Sequence, residues 1–218
     1  MPGIHDLGLF ILAGLLLNIT PGVDFLYVLG RSAARGYGAG VWAALGISAG
    51  CFVHITAAAL GLSAVLASSA AAFTVVKWIG AAYLVYNGIG MIRQRAAAGI
   101  ALPQRPTDGS PRESPPAAAR IFWQGFATNA LNPKVALFFL AFVPQFIDPH
   151  SPAKVQAFLL LGTIFNTTGT LWNLFVAWTS AHLAGRLELA SRVGRWLNRA
   201  LGGMFIALGV KLALSERG

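Results

Sequence analysis

The sequence predicts an all-α integral membrane protein of six transmembrane helices, built as a 3+3 inverted repeat with a broken first helix in each half. Three observations carry that prediction. First, of 218 residues 56% are hydrophobic and only 11% charged, with mean hydropathy +0.65. A soluble domain carries about 25% charged residues, so this chain lacks the polar shell that water requires. Second, six stretches are long and apolar enough to cross a bilayer, which takes about 20 residues each. Third, a Pro- and Arg-rich segment separates three of those stretches from the other three. Because three is odd, the second half must enter the membrane with opposite polarity to the first, an arrangement that many secondary transporters share.

The six stretches are Leu7–Leu29, Val41–Ala67, Ala70–Ile92, Ile121–Ile147, Val155–Ala181 and Val193–Leu214. They define a first three-helix half (1–92), a linker (93–120) and a second three-helix half (121–218). Only Ser68 and Ser69 separate the second stretch from the third, so that connection is tight and one of the two could be partly re-entrant. The linker contains five prolines (103, 106, 111, 115, 116) and five arginines, a composition that reads as a flexible or polyproline-like connector. The first stretch does not read as a cleaved leader. No Lys or Arg precedes it, and Arg31 and Arg35 follow it, the reverse of a secretory n-region.

Basic residues set the orientation. The loops after the first, third and fifth stretches hold eleven Lys and Arg, whereas the opposite side holds four. The positive-inside bias places those three loops in the cytoplasm and both termini outside. Trp42, Trp78, Trp123, Trp178 and Trp196 fall near predicted span ends, where indole rings favour the interface. The net charge of +9 does not indicate nucleic acid, because the basic residues flank apolar runs and form no single footprint.

Polar residues inside the spans carry the functional signal. The first span contains Asn18-Ile-Thr20-Pro21-Gly22-Val-Asp24, and the fourth contains Asn129-Ala-Leu-Asn132-Pro133-Lys134. Proline removes a backbone donor and clashes with the preceding turn. In hydrocarbon the freed backbone groups must find partners. A centrally placed Asp or Lys costs about 2.5–3.5 kcal/mol on insertion scales, which points to pairing or use. One reading is a structural Asp24–Lys134 salt bridge. The sharper one has the two kinks meeting near the midplane around a small zwitterion. Asp24 would then face an ammonium or carry a proton, while Lys134, Asn129 and Asn132 receive a carboxylate. Asn166, Thr167 and Thr170 of the fifth span are candidates to line the path, although hydroxyls and amides also glue helices together. Gly46-x-x-x-Gly50 reads as a close-packing face, and His54 as a hydrogen-bonded packing residue. His182 reads as interfacial.

Enzyme signatures fail. Gly46-Ile-Ser48-Ala-Gly50 has the G-x-S-x-G form but lacks the strand–turn–helix context that gives it meaning. There is no metal-ligand clustering and no P-loop, so no cofactor is expected, and an ion gradient is the expected driver. A single cysteine, Cys51, leaves the redox compartment open.

These residues together resemble the LysE/RhtB family of bacterial amino-acid exporters. The matching pieces are Pro21-Gly-Val-Asp24, Arg31 followed by Gly36 and Gly40, and the Gly46/Gly50 pair. Gly80-x-x-Tyr83-Leu84, Gly125-Phe126, Asn132-Pro133-Lys134 and Pro144-Gln145-Phe146 follow in the family's order. The resemblance implies efflux of amino acids or close analogues driven by proton motive force, together with self-association. It departs at Val23, where a second proline is common and whose absence should soften the first kink. It departs again at Cys51, where a polar or acidic residue is frequent. A channel or cation exporter on the same scaffold, and a non-transporting membrane assembly protein, are the alternatives.

Overall fold

A computed structural model of the chain describes residues 3–62 and 118–183 continuously, with isolated helical positions between 74 and 89 and between 203 and 214. Apart from those positions, the predicted third and sixth spans lie outside the described residues, as do linker residues 93–117 and Trp196. The described segments are helical with no strand; one isolated bridge joins Ile4 to Ile147.

The first predicted span is a bent pair, α1 (Leu7–Ile19) and α2 (Val23–Arg35), with 51° between its limbs. The bend forms where Thr20 and Gly22 adopt extended backbone on either side of Pro21. Gly36, at φ +86°, turns the chain into α3 (Tyr37–Ala57), which ends in a π-helical turn over Ala58–Leu62. A positive φ at this reversal suits a residue without a Cβ. After the linker, α4 (Ala118–Ala130) begins three residues before the predicted span, inside the segment read as connector. It breaks into α5 (Pro133–Leu137), which continues as a π-helical turn (Phe138–Phe142) and a 3₁₀ turn (Val143–Phe146), 45° from α4. α6 (Lys154–Leu183) is unbroken over 30 residues, about 45 Å at helical rise.

Two helical stretches, Tyr37–Gly61 and Lys154–His182, are long and apolar enough to span a bilayer alone; counting each bent pair as one span gives four among the described residues. Trp42, Trp78, Trp123 and Trp178 are all exposed on the outer surface.

The core is divided in two. One cluster is aromatic: Phe10 and Leu17 of α1 pack with Cys51 and Ile55 of α3, the phenylalanines 138, 139, 142 and 146, and Phe158 and Phe165 of α6. Phe138 and Phe165 stack at 4.5 Å between ring centroids. The other cluster joins Val28 and Leu29 of α2 to Ala43, Ala44 and Ile47 of α3, Ile121 of α4, and Val176 and Ala177 of α6. The long helices α3 and α6 run through both clusters. Each bent pair changes cluster at its break. The breaks thus lie at the boundary between the two cores.

The predicted glycine face is a close approach of α3 to α4. A Cβ on Gly46 would collide with the Phe122 carbonyl, and one on Gly50 would come within 2.5 Å of the Phe126 carbonyl oxygen. Gly125 of α4 answers with 2.7 Å to the Ala43 carbonyl oxygen. Nothing lies within 4 Å of a Cβ built on Gly61. Gly50→Leu should therefore destabilise the protein by about 2 kcal/mol or more through overpacking against backbone, whereas Gly61→Leu should be nearly neutral. Monodisperse yield and thermal unfolding of the two variants in detergent check this.

Candidate functional site

Breaking a helix leaves carbonyls without donors at one limb's end and N–H groups without acceptors at the start of the next. At the first break, the Thr20 N–H and hydroxyl both donate to the Leu16 carbonyl, at 3.0 and 2.6 Å. The Lys134 ammonium then donates to the Leu17 carbonyl at 2.9 Å and the Thr20 carbonyl at 3.2 Å. A cation on the C-terminal end of α1 also suits the helix dipole. At the second break, the Asn132 N–H donates to the Asn129 carbonyl at 2.8 Å. His54 Nε2 meets that same carbonyl at 2.9 Å, and since a carbonyl only accepts, Nε2 carries the proton. Each half therefore caps the open end of the other's broken helix.

The N-termini of the second limbs are capped differently. Asn132 is an ordinary N-cap: its Oδ1 accepts from the Lys134 N–H at 2.9 Å, and Pro133 occupies the first helical position, where no donor is needed. Gly22 offers α2 no side-chain cap, and Asp24 supplies negative charge in the first turn instead. Asp24 Oδ2 accepts from Asn129 Nδ2 at 2.8 Å and from Asn132 Nδ2 at 2.9 Å. This carboxylate is the one group that touches both sides of the second break while standing at the first.

A cavity of about 40 Å³ opens here, lined by Asn18, Thr20, Gly22, Asp24, Cys51, Asn129, Asn132, Lys134, Asn166, Thr170 and Asn173, among others. That is room for two or three water molecules, well below the roughly 300 Å³ at which small-molecule sites begin. Among the described residues, Asp24 Oδ1 and Asn129 Oδ1 are both buried with no hydrogen-bond partner.

The structure brings together most residues singled out in the sequence. Asn18, on α1, donates to the Phe165 carbonyl at 3.3 Å and to the Thr168 hydroxyl at 3.4 Å. Asn166 donates to the Ser48 carbonyl at 3.2 Å, and the Thr170 hydroxyl to the Asn166 carbonyl at 2.8 Å. Thr167 is exposed and does not line the cavity; the neighbour that faces α1 is Thr168. Among the described residues Lys134 forms no salt bridge with Asp24, and its ammonium is committed to carbonyls. The amides of Asn129 and Asn132 each commit one N–H to Asp24.

A second polar contact joins α2 to α4, one that no sequence motif announced. Tyr27 donates to the Ile121 carbonyl at 2.8 Å, and Arg31 donates to Gln124 Oε1 at 2.8 Å while lying 5.2 Å from the Tyr27 ring centroid. Asp24, Tyr27 and Arg31 stand at i, i+3 and i+7, one stripe of α2 facing α4. Arg31 thus does more than bias orientation: with Tyr27 it ties α2 to α4 one and two turns beyond Asp24. Cys51, the sole cysteine, lines the cavity at 3% exposure, so its labelling reads whether that tie limits access. In Tyr27→Phe/Gln124→Leu, a membrane-impermeant thiol reagent applied on the Arg31 side should label Cys51 several-fold faster than in wild type. An unchanged rate, or faster labelling only from the opposite side, shows that the tie does not limit access.

The chain is similar to known proteins along nearly its whole length. It is 32% identical to an uncharacterized membrane protein of Pseudomonas aeruginosa, over 97% of this chain and 96% of that one. It is 32% identical to an uncharacterized membrane protein of Vibrio cholerae, with 98% of each covered. With the homoserine/homoserine lactone efflux protein of Salmonella typhimurium it shares 30% identity over 94% of both chains. No solved structure matches it significantly. The family model described as LysE type translocator matches residues 15–216, a stretch that holds both helix breaks and the cavity between them, and the chain belongs to that family of membrane transport proteins.

Proposed function

We propose that this protein exports a small amino acid or amino-acid derivative across the cytoplasmic membrane in exchange for protons, with Asp24 as the group that proton and cargo occupy in turn. The observation that carries the reading is the pair of unpartnered acceptors, Asp24 Oδ1 and Asn129 Oδ1, at the junction of two broken helices. A buried carboxylate with one oxygen fixed by two amides and the other free is arranged to take a proton or an ammonium. The relatives named as homoserine and homoserine lactone efflux proteins support an amine-bearing cargo. Pro21, Gly22 and Pro133 interrupt the helices. Asn132 and Lys134 hold the interruptions in shape, and Asn18, Thr20, Asn166 and Thr170 line the path.

In this reading the described conformation is the contracted one, sealed by Tyr27 and Arg31 on one side and by the phenylalanines on the other. The 3+3 inverted repeat with periplasmic termini accounts for two bends of similar size, 51° and 45°, that cap one another. It gives alternating access by rocking one broken limb at a time about the shared boundary. Self-association follows from the family resemblance.

Proteoliposomes with an imposed pH gradient test the proposal, using radiolabelled homoserine and homoserine lactone as probes. The wild type should accumulate a probe against its gradient, and Asp24→Asn at matched abundance should lose at least about tenfold in rate. A channel would only equilibrate the probe and an assembly protein would not move it. Either result, or a wild-type rate in Asp24→Asn, contradicts the proposal.

A further inference from the structure

We infer that Asn173 of α6 is a second cargo-binding residue of the cavity, its amide meeting an oxygen of the cargo whose ammonium Asp24 takes. This deepens the export reading and rests on it. The argument is which polar groups the fold leaves uncommitted. Asn18 donates to the Phe165 carbonyl, and Asn166 to the Ser48 carbonyl. The hydroxyls of Thr20 and Thr170 return to carbonyls of their own helices. Asn129 and Asn132 bond to Asp24, and Lys134 to the end of α1. Asn173 lines the same cavity at 8% exposure, and its side chain bonds to nothing among the described residues.

A buried amide that the protein does not pair costs stability, and a leucine of similar size would avoid that cost. Position and chemistry say what completes it. Asn166, Thr170 and Asn173 stand at i, i+4 and i+7, one stripe of α6. The stripe begins beside Phe165 of the aromatic cluster and ends before Val176 of the aliphatic one. Asn173 therefore stands at the boundary where both bent pairs break. Asp24 Oδ1 and Asn129 Oδ1 are acceptors without partners, whereas an amide adds two donors and one acceptor. A small amine that also carries a hydroxyl, carbonyl or carboxylate oxygen answers both sets of groups. A plain alkylamine answers only the first. The two contacts also differ in setting. α6 is unbroken over 30 residues, while Asp24 opens the second limb of a bent pair. A cargo held by both bridges a straight helix and a limb of a bent one, so its affinity depends on how the two are placed, which is what a ligand needs in order to shift a conformational equilibrium.

Asn173→Leu tests the inference, with Asn166→Leu as a structural comparator and L-homoserine, L-homoserine lactone and n-butylamine as probes. Thermal unfolding and calorimetric binding are measured in lipid nanodiscs, and uptake in proteoliposomes. Asn173→Leu should unfold no lower than the wild type, because it gives up no bond to the protein. Asn166→Leu, which leaves the Ser48 carbonyl without its donor, should unfold several degrees lower. Whichever of homoserine and its lactone the wild type binds, Asn173→Leu should bind at least about tenfold more weakly. Butylamine, which has no oxygen, should bind the two proteins alike. Unfolding of Asn173→Leu as low as the comparator's, wild-type affinity for the oxygen-bearing probe, or an equal loss for butylamine overturns the inference and leaves the export reading standing. Binding of neither oxygen-bearing probe by the wild type also overturns it. The expected affinities without movement of a probe against a gradient support the inference about the site and overturn the export reading instead.

Discussion

Two helices are broken in surroundings with little water to satisfy their ends, and one carboxylate, Asp24, joins the repairs. Backbone groups freed inside an apolar medium must be paired by the protein itself. Here the pairing is reciprocal. Lys134 from the second bent pair closes the carbonyl end of α1, and His54 from α3 closes the carbonyl end of α4. Asp24 ties these into a single arrangement because Asn129 stands before the second break and Asn132 caps the helix after it. Loosening any one bond loosens the geometry of both kinks.

That arrangement also explains why the cavity lies where it does. The apolar core is two clusters, one rich in phenylalanine and one built from small and branched aliphatic residues, and only α3 and α6 traverse both. The bent pairs hand over from one cluster to the other at their breaks. Space at such a boundary opens toward one face or the other according to which limbs move. Small motions suffice, since packed cores switch between discrete arrangements and do not deform continuously. The glycines of α3 set the backbone of α4 so close that a Cβ at Gly46 or Gly50 would meet it.

How much was legible in the sequence divides along a physical line. Local chemistry was readable. Pro21-Gly22 and Asn132-Pro133 announce breaks, since proline lacks the donor a helix interior needs, and Asn before Pro is a cap signature. Gly46 and Gly50 announce close approach. The two described unbroken spans begin at Tyr37 and Lys154, within four residues of the predicted starts at Val41 and Val155. Non-local destinations were not readable. That Lys134 turns to the carbonyls of α1 instead of to Asp24 depends on a helix end more than a hundred residues away. Thr168 faces Asn18 where Thr167 was expected to line the path, because helices apolar on every side leave the facing stripe undefined by pattern alone. Tyr27 and Gln124 were invisible for the same reason: each is ordinary until its partner helix is placed.

The central claim is that Asp24 and the two asparagines act as a unit, and a double-mutant cycle measures it most directly. Thermodynamic stability of wild type, Asp24→Ala, Asn132→Ala and the double variant would be determined by reversible unfolding in lipid. The account predicts a coupling of at least about 1 kcal/mol, as for a hydrogen bond to a charged group that both single variants remove. Additive losses, agreeing within about 0.5 kcal/mol, would show that Asp24 stands alone and that the breaks are held without it.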